Sequence, residues 1–497
     1  MGKSRGSVDS SRVGKSQAGA GATRRGTGQP NWAGERFGAW LARPLASFHL
    51  IVTIATLLTV LGLVMVLSAS SVEAYAGGGS AYSLFIQQAM FAGLGAIGFY
   101  VALRLPLRVL RQWSFPIFSI SVLALMLVLI PGIGSAHGGA RRWFDIGPLS
   151  IQPSEVVKVT LVVWGAHLLA SRRGAQLKDI LVPLVPAGLL VCLLVVLEPN
   201  LSTTIALGIV LMALLWFGGL PVRLFVAIMV SGIVAASVLA LSAGYRSDRV
   251  RAFFNPGDDP QGANYQARQA KYSLADGGIW GRGLGQSRAK WSYLPNSHND
   301  FIFAIIGEEL GFLGCMLVLA LLALFVYAGI RIALRSVDPF LRLLTATATT
   351  WITAQALINI GYVVGLLPVT GLQLPLVSAG GSSLAITLFM FGIIASAARH
   401  EPEAVSALKA GQDGRLSRLL RLPVPEVYTP PAPRKAAPRP RTERPRQPPR
   451  RQPPADRRRR APESRGTSSL RSTRAWEPTY PMPHRPAKRR TGGGGGA

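Results

Sequence analysis

Three acidic residues lie in a stretch of chain that is otherwise apolar enough to cross a membrane. The stretch LPNSHNDFIFAIIGEELGFLG, residues 294–314, has Asp300 where the apolar run starts and Glu308 and Glu309 inside it. An acidic residue at the centre of a membrane helix costs roughly 2.5–3.5 kcal/mol on insertion scales. Each carboxylate is therefore expected to carry out chemistry or to have a buried partner.

Asp300 is the strongest catalytic candidate, because it would meet water on one side and apolar groups on the other. Partial desolvation makes a carboxylate a better proton acceptor, which favours the role of a general base. An aspartate at the start of a helix is also typical of an N-cap, and this alternative stays open. His298 is expected to be a loop residue or an orienting partner in the substrate cavity, rather than a metal ligand.

Glu308 and Glu309 are interpreted differently from Asp300, because they lie further along the same apolar segment. Facing lipid, they would destabilise the chain by several kcal/mol, so at least one should face the protein interior. Gly307, Gly311 and Gly314 beside them allow close helix contact. The pattern favours a structural hydrogen-bonding role for the two glutamates.

A second polar cluster occupies GGARRWFDIGPLSIQPSEVVKV, residues 138–159. Arg142 and Trp143 fall in a loop, and Pro153 is expected to begin the next span. Glu155 and Lys158 are spaced i, i+3 on that helix, so their side chains could pair. A buried pair of this kind would fix the polarity of a cavity.

Basic residues in the long loop at about 244–300 suggest a third cluster. In NYQARQAKYSLADGG, a predicted short helix, Arg268 and Lys271 share a face, which suits a phosphate. The glycine-rich GRGLGQS that follows could direct backbone N–H groups at an anion, or could be an ordinary loop. Local neutralisation of the basic residues by nearby aspartates is an equally open alternative.

The elements that position these clusters are membrane helices. The pattern predicts an all-α polytopic membrane protein, with apolar segments centred near residues 58, 94, 122, 163, 188, 209, 232, 317, 354 and 389. Arginine and lysine recur in alternate loops and at both termini, so the N and C termini are expected in the cytoplasm. The large loop, about 244–300, then lies outside the cell, between helices 7 and 8.

Composition divides the chain into four parts. Residues 1–48 form a basic arm and 49–398 the ten-helix domain; 399–425 form a juxtamembrane amphipathic segment and 426–497 a Pro/Arg-rich tail. The basic arm and the Pro/Arg-rich tail carry most of the net charge of +30 and are too polar to fold alone. Both are therefore expected to be disordered and cytoplasmic. The two cysteines exclude a disulfide framework.

The motifs together resemble the SEDS family of cell-shape and division membrane proteins, and most closely its branch that acts at the division septum. The resemblance covers residues 40–425 and rests on four stretches: GGARRWFDIGPLSIQPSEVVK, NPGDDPQGANYQARQAKYSLADGGIWGRGLGQS, YLPNSHNDFIFAIIGEELG and PVTGLQLPLVSAGGSS. It implies a peptidoglycan glycosyltransferase that polymerises lipid II in the plasma membrane at the septum. It also implies a class B penicillin-binding protein as partner, together with other divisome proteins.

Family residues carry over where the motifs match. The essential aspartate of the family's HxDFIFA motif falls on Asp300, and its R-W and PSE-x-x-K motifs fall on Arg142, Trp143, Glu155 and Lys158. Asp300 would accept a proton from the acceptor's 4-hydroxyl. Arg142, Lys158, Arg268 or Lys271 would hold the undecaprenyl pyrophosphate that leaves.

One position departs from the family pattern. The family usually has QPDLGT between spans five and six, whereas this chain has EPNLSTT, with Asn200 in place of the aspartate and Glu198 two residues earlier. Either Glu198 substitutes from its shifted position or the second carboxylate is dispensable. No cofactor is assigned, and a divalent cation, Mg²⁺ or Mn²⁺, stays open because Asn supplies no charge for it.

Two other functions are considered for the chain, and several binding partners for its basic tail. A flippase for lipid-linked precursor, or a divisome scaffold, would also suit ten spans with intramembrane charges. The flippase predicts gates on both faces, whereas the polar motifs gather at one. The tail could bind FtsZ or anionic lipid, or act as a simple tether, and no base-reading motif indicates nucleic acid.

Overall fold

The structure is a computed structural model, and most of the apolar domain is described in it. The described residues are 43–76, 80, 82–137, 140–147, 149–172, 176–242, 253–254, 263–288, 298–412 and 415–429. The predicted basic arm and Pro/Arg-rich tail therefore lie almost wholly outside the described residues.

Helices make up most of the described chain. Their bounds are α1 Ala46–Ala76, α2 Ser83–Arg104, α3 Leu107–Gln112, α4 Ser114–Val128, α5 Pro153–Ser171, α6 Leu177–Leu197, α7 Leu201–Phe217, α8 Val222–Ser242, α9 Ala263–Gly277, α10 Ile302–Arg335, α11 Pro339–Val363, α12 Ser382–Arg399, α13 Pro402–Lys409 and α14 Arg415–Leu419. Every predicted span centre lies in one of these helices. The short helix predicted in the long loop is α9, which ends at Gly277 as expected.

Six of the described helices, α1, α2, α5, α8, α10 and α12, are long and apolar enough to cross a membrane. Helices α4, α6 and α7 are apolar but shorter. Helix α11 is 25 residues long and carries buried polar side chains that the site uses. These features define an integral membrane protein built as a helical bundle.

Local sequence sets several of the helix starts. Pro153 and Pro339 occupy the first turns of α5 and α11, where a missing N–H costs nothing. Asp338 caps α11 by accepting a hydrogen bond from the Phe340 N–H at 3.0 Å. Asn200 caps α7 in the same way, accepting from the Thr203 N–H at 3.2 Å.

A small antiparallel sheet corrects the all-α prediction. Strands β1 (Ser135–His137), β2 (Ala140–Ile146) and β3 (Leu149–Ile151) pair in the order β1-β2-β3. Short strands give no signal comparable to a membrane helix, so the sequence analysis assigned this stretch to a loop. The sheet carries Arg142 and Trp143 on β2.

Contacts between distant segments define the two ends of the bundle. One, the basic end, joins the end of α2, α3, the end of α10, the start of α11 and the chain after α12. Its contacts are Arg111–Asp338, Arg335–Glu403, Arg399–Pro423 and Tyr100–Leu420. The opposite end, the cavity end, joins the sheet and the turns before α7, α10 and α12. Its contacts are Arg142–Glu198, Ser202–Thr370, Gln88–Ser378, Gln152–Ser382 and Asn359–Asp300.

Helix α10 is broken near its start. Gly311 has φ 68° and ψ −166°, outside the helical region. The glycine-rich segment after α9 fits against this break: the N–H groups of Arg282 and Gly283 donate to the carbonyls of Glu308 and Glu309 at 2.9 and 3.0 Å. These two amides thus bind helix carbonyls, and the ordinary-loop alternative for GRGLGQS fits better than the anion-binding one.

The chain after α12 packs against the basic end. The predicted amphipathic segment contains α13 and the five-residue α14, and the described chain then continues to Thr429. Arg399 donates to the Pro423 carbonyl at 3.0 Å, and Arg108 pairs with Glu426 at 3.0 Å. The segment from 415 to 429 therefore packs against the helical bundle.

Replacing Gly311 by alanine should destabilise the protein. Its positive φ disfavours any L side chain, and an added Cβ would lie 2.5 Å from the Ile279 carbonyl oxygen. We expect a loss of about 1–3 kcal/mol, read as a lower midpoint in thermal unfolding of the detergent-purified chain. Gly232→Ala on α8 is the matched control, since nothing lies near its Cβ position. Equal midpoints for the two variants would contradict the strained break.

Candidate active site

A cavity of about 770 Å³ opens at the cavity end of the bundle. Its wall comes from the sheet, α5, the start of α7, one side of α8, the turn before α10, α11 and the segment between α11 and α12. The charged side chains in its described lining are Arg142, Glu155, Lys158 and Asp300. The structure thus brings Asp300 together with three residues of the second polar cluster that the sequence analysis described.

Lys158 is the most deeply placed cation of the cavity. Its ammonium group is 2.8 Å from Glu155 Oε1, as the i, i+3 spacing predicted, and its side chain is 1% exposed. The same ammonium lies 5.1 Å from the centre of the Trp351 ring, a cation–π contact. Glu155 and Trp351 thus hold the Lys158 ammonium group at the base of the cavity.

Arg142 reaches the cavity from β2. Its Nε donates to the Glu198 carbonyl at 2.8 Å, and one terminal nitrogen donates to the Pro199 carbonyl at 2.7 Å. These bonds fix the guanidinium against the turn between α6 and α7. A planar guanidinium held in this way presents a fixed positive edge to an anion.

Asp300 is positioned through its backbone. The Asp300 carbonyl accepts hydrogen bonds from Asn359 Nδ2 at 3.0 Å and from the Tyr362 hydroxyl at 2.8 Å. Both groups also lie within hydrogen-bond distance of the Leu372 carbonyl, at 2.7 and 2.8 Å. Because the hydroxyl has one proton and the amide two, this pair can bind both carbonyls at once. Two residues of α11 therefore hold the Asp300 turn and the segment after α11 together.

The N-cap alternative for Asp300 does not match the helix. Helix α10 begins at Ile302, its N-cap position is Phe301, and no side chain caps it. Asp300 is instead one of the residues that line the cavity. This placement favours the chemical role over the capping role.

Asn200 and Glu198 occupy different environments. Asn200 lines the cavity and caps α7, whereas Glu198 is 0% exposed and is not among the described lining residues. Both Glu198 carboxyl oxygens are buried without a hydrogen bond. Glu198 therefore does not take the place of the missing family aspartate in the cavity. Burial raises its pKa to about 8, although Arg142 acts in the opposite direction.

The donor set of the cavity gives little support to a metal site. Within the described residues, no group of three or more His, Cys, Asp or Glu side chains could hold a metal ion. Glu155 is paired with Lys158, so Asp300 is the carboxylate left in the cavity. A Mg²⁺ or Mn²⁺ ion would depend mainly on oxygens brought by the substrate.

Three predicted substrate residues lie outside this cavity. Arg268 and Lys271 are on α9, where the Lys271 side chain packs against Gly365. His298 lines a neighbouring chamber, and its carbonyl accepts from the Ala379 N–H at 3.0 Å. Arg268 and Lys271 do share a face of α9, as their i, i+3 spacing predicted. That face does not line the cavity, which the spacing could not reveal.

Glu308 and Glu309 are buried and hydrogen-bonded, as the structural interpretation requires. Both are 1% exposed. Ser287 donates to Glu308 at 2.7 Å, and Ser68 of α1 donates to Glu309 at 2.6 Å. The Arg288 N–H also donates to Glu308 at 2.6 Å. The pair thus joins α1 and the segment after α9 to the broken start of α10.

The sequence analysis missed the polar residues of α11. Gln355, which also lines the cavity, accepts from Trp351 Nε1 at 3.1 Å and donates to the Gln373 carbonyl at 3.0 Å. Gln355, Asn359 and Tyr362 are spaced about one helical turn apart. Polar residues at that spacing in an apolar run were the available signal.

The cavity and the bundle together define a class of protein. It is an integral membrane protein with a charged pocket at one end, lined by helices, a small sheet and connecting segments. The family model for cell cycle proteins of the FtsW, RodA and SpoVE type matches residues 48–403. The chain belongs to this family, which confirms the resemblance drawn from its motifs.

Curated relatives agree with this assignment. The chain is 53% identical over 463 residues to a probable peptidoglycan glycosyltransferase FtsW of Mycobacterium tuberculosis, covering 92% of this chain and 85% of that protein. It is 36% identical over 353 residues to stage V sporulation protein E of Bacillus subtilis, covering 71% and 96%.

Solved structures agree in fold. A chain from a peptidoglycan synthase complex that coordinates polymerization and crosslinking has a TM-score of 0.57 and 28% identity, covering 71% of this chain and 97% of that one. The rod shape determining protein RodA of Thermus thermophilus has a TM-score of 0.54 and 27% identity, covering 73% and 99%.

Removing Lys158 alone should destabilise the protein strongly. Lys158→Met leaves the Glu155 carboxylate buried without its cation, and breaking a buried pair costs about 3–5 kcal/mol. The double variant Glu155→Gln with Lys158→Met removes both charges and should recover most of that loss. Denaturant unfolding of the purified variants measures both changes. A double variant as unstable as Lys158→Met would contradict the pairing.

The buried carboxyl of Glu198 should make stability depend on pH. A carboxyl whose pKa rises from 4.5 in the unfolded chain to about 8 in the folded chain binds more protons when folded. The free energy of unfolding should therefore fall as pH rises through that window. Glu198→Gln should remove this slope in thermal unfolding measured from pH 6 to 9. Identical slopes for wild type and variant would contradict a buried neutral Glu198.

Proposed function

We propose that this protein polymerises lipid II into glycan strands. The observation that carries the proposal is the placement of Asp300 in one cavity with Lys158 and Arg142. Glycosyl transfer from a lipid pyrophosphate needs a base for the attacking hydroxyl and cations for the leaving group. The cavity supplies both from residues of the family motifs.

The reaction follows from these roles. The acceptor's 4-hydroxyl oxygen attacks the anomeric carbon of the donor, and its proton passes to the Asp300 carboxylate. The new glycosidic C–O bond forms as the bond from the anomeric carbon to the pyrophosphate oxygen breaks. The electron pair leaves with undecaprenyl pyrophosphate, whose negative charge Lys158 and Arg142 stabilise. Asp300 then releases the proton to solvent.

The membrane arrangement we propose has ten spanning helices, α1, α2, α4–α8 and α10–α12. Arginine gathers at the basic end, which we place in the cytoplasm with both termini. The cavity end then faces outward, where lipid II presents its sugars. The long loop between the seventh and eighth spans, about 244–300, lies on the same side.

The protein's partners and location are part of the proposal. A related solved structure is described as a synthase complex of polymerization and crosslinking, which supports a class B penicillin-binding protein as partner. Relatives named FtsW support the plasma membrane at the division septum as the location. Binding of FtsZ or other divisome proteins by the basic tail stays a proposal from charge alone.

The flippase and scaffold alternatives explain less of the site. A flippase needs a path open in turn to both membrane faces, whereas this cavity is formed by segments of the cavity end. A scaffold has no need for a cation held over Trp351 beside a carboxylate. The enzyme accounts for both features.

Asp300→Asn should abolish polymer formation without unfolding the protein. The amide keeps the shape of the side chain but cannot accept the proton, and loss of a general base costs roughly 10²–10⁴ in rate. The measurement is glycan polymer formed from lipid II by the purified chain with its transpeptidase partner.

Asp179→Asn, the same change at an exposed position in the first turn of α6, is the control and should keep activity within about twofold, because exposed charges near a helix end are worth only tenths of a kcal/mol. Normal polymerisation by Asp300→Asn would refute the base assignment. No polymer from wild type, with a control enzyme active, would favour the flippase and scaffold alternatives.

A further inference from the structure

A second chamber of about 470 Å³ adjoins the main cavity. The two share Trp143, Asn299 and Gln373 as a common wall. The second chamber extends from this wall toward α2, where Gln87 lines it, and toward Ser150 of β3 and His298. Asp300 lines the main cavity, and its chain neighbour Asn299 lines both spaces.

The chemistry of the second chamber differs from that of the main cavity. Its described lining contains no Lys, Arg, Asp or Glu. It is therefore poorly suited to a pyrophosphate, which binds where cations gather. It offers instead side-chain amides, a serine hydroxyl and the Trp143 ring, groups that recognise a neutral ligand rich in hydroxyl and amide groups.

Three of these amides are available to a ligand. Among the hydrogen bonds of the described residues, the side chains of Gln87, Asn299 and Gln373 form none, and Asn299 Oδ1 is buried. A buried amide oxygen without a partner costs free energy that a bound donor would recover. Each amide can both donate and accept, as the hydroxyl and acetamido groups of an amino sugar require.

The surrounding backbone fixes the shape of the chamber. Gln88 donates to the Ser378 carbonyl at 3.1 Å, and its Oε1 accepts from the Gly380 and Gly381 N–H groups at 3.3 and 3.1 Å. A side chain on Gly380 would collide with the Gln373 amide. Gln88 thus orders the loop, and Gly380 leaves room for Gln373, so the chamber is formed before a ligand enters.

We propose that the second chamber binds the acceptor's neutral N-acetylhexosamine, while the main cavity binds the donor with its pyrophosphate. The proposal rests on the proposed function. The donor's pyrophosphate leaves, so it belongs with Lys158 and Arg142. The attacking hydroxyl must approach Asp300 from another direction. In this arrangement it comes from the side of Asn299, which lines both spaces. Gln87 and Gln373 are binding residues for the acceptor sugar.

The test separates donor from acceptor by using two probes. The donor probe is lipid II whose terminal sugar lacks its 4-hydroxyl, so it can donate but not accept. The acceptor probe is a lipid-linked disaccharide in which a methylene replaces the anomeric oxygen, so it can accept but not leave. One transfer yields a tetrasaccharide, which is quantified while each probe is varied in turn with the full chain and its transpeptidase partner.

Gln87→Ala and Gln373→Ala should each raise the KM for the acceptor probe about tenfold, the effect of about one lost hydrogen bond. The KM for the donor probe should stay within about twofold. Gln112→Ala, the same change at an exposed position of α3, is the control and should alter neither constant.

Other outcomes overturn the proposal. A higher KM for the donor probe, unchanged constants, or a lower kcat with both KM values unchanged would each exclude acceptor binding in the second chamber. Wild-type chain that forms no tetrasaccharide would contradict the proposed function itself. Product formed normally by wild type, with donor-specific defects in the variants, would contradict only the assignment of the chamber.

Discussion

Backbone groups that lie outside regular helices and away from water must find hydrogen-bond partners within the protein. Two segments here have that need, the turn that carries Asp300 and the chain between α11 and α12. Asn359 and Tyr362 meet it for both, by binding the Asp300 and Leu372 carbonyls together. The hydrogen bonds that satisfy these backbone carbonyls therefore also set the position of the candidate base.

The charged side chains of the cavity are likewise positioned by contacts that also hold the fold together. The Lys158 ammonium group is held at the base of the cavity by Glu155 and the Trp351 ring. Trp351 in turn binds Gln355, which holds the segment after α11 through the Gln373 carbonyl. Arg142 is fixed by two carbonyls of the opposite turn. A preorganised positive site next to a carboxylate needs little reorganisation when charge develops on a leaving group. Fold and chemistry therefore rest on the same hydrogen bonds.

Sequence alone predicted the features that depend on local spacing. The membrane helices, α9, the Glu155–Lys158 pair and the burial of Glu308 and Glu309 follow from periodicity and from the cost of charge in lipid. Features that depend on distant partners were not predictable: Asn359 and the Asp300 carbonyl are 59 positions apart. The small sheet was missed because its strands are short. Arg268 and Lys271 share a face as predicted, but the packing of α9 against α10 decides what that face meets.

The break in α10 also constrains how this protein can change over evolutionary time. Surface loops normally tolerate insertions and deletions, and the connection between α8 and α10 is long. Yet Gly281 faces the Glu309 carbonyl so closely that no side chain fits, and the next two amides bind carbonyls at fixed steps along the helix. Adding or removing one residue there would shift every one of these pairings at once. We therefore expect this connection to tolerate insertions and deletions only outside the short stretch that packs against the break.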